Sequence, residues 1–167
     1  MHIHLIGRYT LSLINLELGL EMFKSGLDMM AFWDTIGNGE YMLMDKNHDY
    51  RMNPVHFGLE MLFRSIEMDM FEMDTSAYRL HGFCARPKDD NSRQICFLLN
   101  KYDNDKRISF SSNKFKRNTK VSVEILVDTD DHWGKVLSGN TTIMDDDEVF
   151  NYNIPALSFA TLTFEEM

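Results

Sequence analysis

The sequence predicts an α+β fold in two parts, and three observations predict it. Apolar residues recur at three- and four-residue spacing up to about residue 68, and at two-residue spacing beyond it. Helix stop and start signals fall at Gly26 and at Asn53-Pro54. The second part alternates short apolar runs with turns rich in Asp, Asn, Lys and Gly. These observations divide the chain into residues 1–68 and residues 69–167.

From Ile3 to Lys24, the positions Ile3, Ile6, Leu13, Leu16, Leu20 and Phe23 carry a helical spacing with further leucines between them, so this helix is buried on most of its circumference. Gly26 ends it. The run Leu27 to Trp33 fits a short buried strand that meets the polar turn Asp34 to Gly39. Tyr41 to Met44 reads as a second short strand or as part of a long connection. A second helix then starts with Asn53 as cap and Pro54 in the first turn, and its apolar stripe is Val55, Leu59, Leu62, Phe63 and Ile66. Strands follow at Tyr78–Ala85, Arg93–Asn100, Arg107–Ser111, Lys120–Val127 and Leu157–Phe164, an antiparallel β-sandwich by their number and spacing. Pro155 suits the entry to the last of them.

A single buried strand between two apolar helices cannot satisfy its own backbone hydrogen bonds, and unpaired buried amides are costly. Residues 1–68 therefore read as the helix-strand-helix end of a (β/α)8 barrel, a fold that typically needs about 250 residues. The strand's missing neighbours would come from a partner chain, from self-association or from a longer parent.

Composition narrows the functions. With 17 Lys and Arg against 26 Asp and Glu, the net charge of −9 opposes a phosphate-tracking surface, so no nucleic-acid partner is expected. The one basic cluster, Lys114, Lys116, Arg117 and Lys120, reads as a solvated turn or strand edge. Gly7, Arg8, Asn15, Glu17 and Glu21 interrupt the apolar N-terminal stretch, so it is no membrane span, and it lacks the basic start and cleavage site of a signal peptide. Two cysteines, Cys84 and Cys96, leave a bridge and two buried thiols equally open. The thirteen methionines read as adaptable core filler.

In such a barrel the chemistry gathers at the C-terminal ends of the strands, here Trp33, Asp34 and the loop to Glu40. Trp33 offers a flat apolar face to a sugar ring, and Asp34 an acceptor for its hydroxyls; the plainer alternatives are a core aromatic and a turn cap. Retaining glycoside hydrolysis needs two carboxyl groups about 5–5.5 Å apart on different strands. Asp34, Glu40 and Asp45 all follow one strand, so no catalytic pair is expected. His2 and His4 with His48 or His56 make a weak metal set, and the acidic stretches Asp130-Asp131 and Asp145 to Glu148 lack calcium-loop spacing, so no metal or other cofactor is assigned.

The segment Gly26-Leu27-Asp28-Met29-Met30-Ala31-Phe32-Trp33-Asp34, then Met44-Asp45 and Asn53-Pro54-Val55-His56-Phe57-Gly58, resembles the end of the catalytic barrel in the large clan of retaining glycoside hydrolases that holds agarases, porphyranases, arabinofuranosidases and xylosidases. Cys96-Phe97-Leu98-Leu99-Asn100-Lys101 and Ile154-Pro155-Ala156-Leu157-Ser158 resemble strands of that clan's appended sandwich. The resemblance implies a parent that cleaves poly- or oligosaccharides with retention, with Trp33 as a floor residue of a sugar subsite and Asp34 beside it. The clan's acid/base and nucleophile lie on earlier barrel strands, and no residue here matches them. The chain would contribute barrel closure and substrate wall and be inactive alone. The alternative is a stand-alone module binding carbohydrate or protein. The compartment stays open, a secreted or periplasmic parent being in keeping with the resemblance.

Overall fold

The computed structural model describes residues 7–26, 35–37, 42–73, 77–111, 118–139, 142–144 and 149–167. The first helix, α1, spans Arg8–Lys24, and Gly26 at φ 78° ends it as expected, since that backbone is easy only for a residue without a side chain. The predicted strand Leu27–Trp33 lies outside the described residues. Next come three two-residue strands, β1 (Ile36–Gly37), β2 (Met44–Asp45) and β3 (Arg51–Met52), with β1 parallel and β3 antiparallel to β2. The second helix, α2, runs Pro54–Leu62 with Asn53 at its N-cap, as expected. It is shorter than its apolar stripe suggests. The chain tightens into a 3₁₀ turn at Phe63–Ser65, leaving Phe63 and Ile66 40% and 57% exposed.

The remaining strands are β4 (Met68–Glu72), β5 (Leu80–Pro87), β6 (Arg93–Asn100), β7 (Lys106–Ser111), β8 (Lys120–Val127), β9 (Lys135–Ser138), β10 (Thr142–Ile143), β11 (Val149–Ile154) and β12 (Ser158–Glu165). The five strands expected after residue 69 are present, within a few residues at their ends, while of the expected Tyr41–Met44 only Met44 falls in a described strand, β2. Sequence reasoning missed β1, which it read as part of a polar turn, and β3, β4, β9, β10 and β11. β11 was legible: Phe150 and Ile154 are buried while Asn151 and Asn153 are exposed, a two-residue period.

An antiparallel sheet in the order β10-β8-β12-β6-β5-β4 forms the centre, with β9 also on β8, and a two-stranded β7/β11 ribbon packs on one of its faces. Side chains alternate between faces, which sorts the core into two clusters. Phe83, Ile95, Phe97, Leu99, Leu126 and Phe159 meet Tyr9, Leu16 and Leu20 of α1 and Val55, Leu59 and Leu62 of α2. Cys96, Leu98, Val123 and Leu162 meet Phe110, Phe150 and Ile154 of the ribbon. Both faces of the central strands are therefore covered, which explains why 95–100 and 158–162 are buried without interruption. Helices, sheet and ribbon make three layers.

The helices cross closely at Gly58, where an added Cβ would sit 2.3 Å from a methyl of the fully buried Leu16. Within the ribbon-side core, Cys84 and Cys96 stand directly opposite on β5 and β6 and form a disulfide. That settles the alternative the sequence left open.

Candidate functional site

Two loops from distant parts of the chain meet beside the N-termini of both helices. One is the turn 46–50 between β2 and β3, and the other is 128–134 between β8 and β9. Asp45, at the end of β2, is 1% exposed. It accepts hydrogen bonds from the Asn47 amide at 2.9 Å and from Arg8 Nη1 at 3.0 Å, and its Oδ2 lies 2.8 Å from His48 Nδ1. The same Arg8 nitrogen donates to Asn53 Oδ1 at 2.6 Å, while Asn53 Nδ2 donates to the Met42 carbonyl at 2.7 Å. Asn53 thus sits at the N-cap without capping the helix through its side chain. The charge-assisted bond to Arg8 has taken the oxygen a cap would use.

The second loop closes on this cluster through Trp133, which is 7% exposed. The Arg8 and Arg51 guanidinium carbons lie 4.0 and 4.4 Å from the centre of its ring, and the His48 ring meets it edge-on at 5.3 Å. Thr129 organises the loop: its Oγ1 donates to Asp131 Oδ1 at 2.6 Å and accepts from the Trp133 and Gly134 amides at 3.1 and 3.0 Å. Gly134 has φ 63°, and a Cβ there would come 3.1 Å from Pro54 and 3.2 Å from Tyr9. Arg51 Nη1 donates to Asp131 Oδ2 at 3.0 Å, bridging the loops from outside. The Thr129 hydroxyl, followed by Arg51 and the Trp133 amide, holds the Asp131 carboxyl below the usual carboxylate range.

Beneath this cluster, Tyr9 extends its hydroxyl to within 2.9 Å of the Leu126 carbonyl and 2.8 Å of the Leu157 carbonyl. Burial, reinforced by the charge of Asp128, pushes its ionisation far above the ordinary tyrosine range, so it serves as a fixed donor. At the loop surface, by contrast, Tyr50 is 59% exposed, with φ 58° directly after Asp49 at φ 56°.

Of the residues singled out from sequence, Trp33, Asp34 and Glu40 lie outside the described residues, as do His2, His4, Lys114, Lys116, Arg117 and the stretch Asp145 to Glu148. Asp45 is described, and its oxygens are engaged by Arg8, His48 and Asn47 in a buried pocket, an anchoring role. Among the described residues no group of three or more His, Cys, Asp or Glu side chains is gathered as a metal centre would need. No helix among them is long and apolar enough to cross a membrane. Sequence reasoning missed Arg8, Tyr50, Arg51 and Trp133. The only local signal was Trp133 beside the Asp-rich stretch 128–131; its pairing with Arg8 spans more than a hundred residues, which no periodicity reports.

No protein-family model matches this sequence, and no curated protein matches it. Among solved structures, the chain is similar to the glycoside hydrolase family 30 subfamily 8 xylanase Xyn30A from Clostridium acetobutylicum, with TM-score 0.72 and 13% identity over 99% of this chain and 41% of that one. A GH30 endoxylanase from Clostridium papyrosolvens C71 overlays with TM-score 0.63 and 10% identity, covering 92% of this chain and 38% of the other. Cel44A, a family 44 endoglucanase from Clostridium thermocellum, matches more loosely, at TM-score 0.47 and 24% identity over 55% of this chain and 18% of that one. The chain thus spans about two fifths of the length of the two xylanases. What it shares with them is the fold: an α+β arrangement of helices on a β-sandwich, found in the structures of glycoside hydrolases.

Proposed function

We propose that this chain is the C-terminal portion of a glycoside hydrolase acting on a poly- or oligosaccharide, in which residues 1–68 close a (β/α)8 barrel and residues 69–167 form the sandwich on its flank. The observation that carries the reading is the overlay of nearly the whole chain, helices and sandwich together, on a xylanase more than twice as long. The surface of α1 supports it. Ile14 and Leu18, one turn apart, are 47% and 53% exposed on the side away from the sandwich, where a barrel neighbour would cover them.

In this reading the parent hydrolyses by the two-carboxylate route with retention, and both carboxylates lie outside this chain. Trp33 and Asp34 contribute substrate wall, and the cluster around Asp45 and Trp133 anchors the turn 46–50. The test is to express the chain alone and together with any in-frame coding sequence upstream of Met1. The chain alone is expected to release no reducing sugar from xylan or arabinan, and the extended polypeptide, with a glutamate at a strand end, to do so. Hydrolysis by the chain alone overturns the reading.

The second reading is a self-sufficient module that binds carbohydrate or protein. The observation favouring it is the core that the helices share with the sheet, which lets these residues pack without a further partner. The two readings part on the pairing of Leu27–Phe32: strand edges closed within the chain support the module, and edges open or taken by another polypeptide support the barrel.

A further inference from the structure

The rim where residues 46–51 meet residues 128–133 carries features that packing does not use. Tyr50 stands 59% exposed, and its ring makes no hydrogen bond, ion pair or ring contact among the described residues. Its left-handed backbone follows a second left-handed residue, Asp49, and a bulky side chain is disfavoured there. Such strain persists only where surrounding structure imposes it, here the anchoring of the turn through Asp45 and of Arg51 on Trp133. An unused aromatic face held in a strained, anchored turn is a surface presented to something outside the molecule.

The groups beside it define what that is. The side chains of His48, Arg51 and His132 are 54%, 51% and 63% exposed, and each is tethered to a carboxylate through one nitrogen. Arg51 keeps further N–H donors and each histidine a second ring nitrogen. A donor on Arg51 and acceptors on the histidine Nε2 atoms, tethered at one end and open at the other, suit neutral hydroxyl groups, which both donate and accept. Asp49, Asp128, Asp130 and Asp131 line the same two loops, and with the chain's charge of −9 they oppose phosphate or a polyanion.

We propose that this rim is a carbohydrate subsite, with Tyr50 as the platform for one face of a pyranose ring, Arg51 as a donor to its hydroxyls and His48 Nε2 as an acceptor from them. The choice of sugar as ligand rests on the glycoside hydrolase reading above; the site itself rests on the rim geometry. The experiment titrates the full chain with xylohexaose and with cellohexaose by isothermal calorimetry or NMR.

Binding of either hexasaccharide is expected, weakened at least tenfold by Tyr50→Ala and unchanged by Tyr78→Ala, which alters a 91% exposed tyrosine elsewhere. Tyr50→Gly separates binding from folding: it relieves the left-handed strain, so it is expected to raise the melting temperature while abolishing binding. Affinity within twofold of the parent in Tyr50→Ala overturns the subsite, and so does an absence of binding to both sugars. Neither result touches the hydrolysis test of the parent enzyme, so the two ideas fail separately.

Discussion

Asp45 shows how one carboxylate can organise a junction. It is almost completely buried, yet three donors from two parts of the chain, Arg8 and the turn residues Asn47 and His48, converge on it, so its charge is matched by Arg8 and its lone pairs are occupied. Removing one partner from such a pair leaves the other stranded. Asp45→Ala is expected to cost about 3–5 kcal/mol, read as a shift in the urea midpoint, whereas the exposed pair Arg64–Glu124 is expected to contribute no more than about 1 kcal/mol. Asp131, on the outer side of the same junction, supplies a pH signature. Its carboxyl is held below its ordinary value of about 4, first by Thr129 and then by Arg51. A depressed folded-state value means that the stabilisation is complete above the unfolded value and disappears as pH falls through the folded one. Thr129→Val is therefore expected to be less stable than the parent at pH 6, with the part of the gap owed to Asp131 shrinking as the pH is lowered from 6 to 3. Denaturation curves at the two pH values check this, and a gap that widens in acid would contradict it.

At the scale of elements, the central strands are covered on both faces, and the disulfide ties two of them. Cys84 and Cys96 face each other across β5 and β6, 12 positions apart in sequence. Closing a loop of that size removes unfolded-state entropy worth about 3 kcal/mol. The double variant Cys84→Ser/Cys96→Ser is expected to lose stability of that order, and the native chain to take up no alkylating reagent until it is unfolded and reduced; mass spectrometry reads the second outcome. Cross-strand placement also explains why sequence spacing left the bond open, since two cysteines 12 apart become neighbours only if the hairpin register pairs them. α2 makes the complementary point. Its start at Asn53-Pro54 was legible because it is local chemistry, but its end was not: the stripe continues through Phe63 and Ile66, while the chain turns at Leu62 to deliver β4 to the sheet.

Across the whole molecule, the division at residues 68 and 69 marks a change of hydrophobic period, and β4 begins on that boundary, at Met68. The helices and the sheet bury one cluster in common, running from Tyr9 to Phe159. Two-state unfolding is therefore expected, with tryptophan fluorescence and far-UV circular dichroism tracing the same transition. A chain cut to residues 69–167 would expose Phe83, Phe97 and Phe159, and is expected to bind a hydrophobic dye or aggregate. Two separated transitions in the intact chain would show that the halves fold independently.

The sequence by itself determined what depends on neighbours along the chain: the two periods, the stop at Gly26, the start at Pro54, the main strands and the α+β class that follows from them. A resemblance carried by short motifs pointed to the glycoside hydrolases, and the chain overlays on about two fifths of one, a family 30 xylanase. Only the tertiary structure decided which strands pair, that Cys84 meets Cys96, and that Arg8, Asp45, Arg51 and Trp133 form one cluster beside an exposed Tyr50. The reason is physical: periodicity records which face of an element is apolar, and nothing in it records which distant element that face will meet.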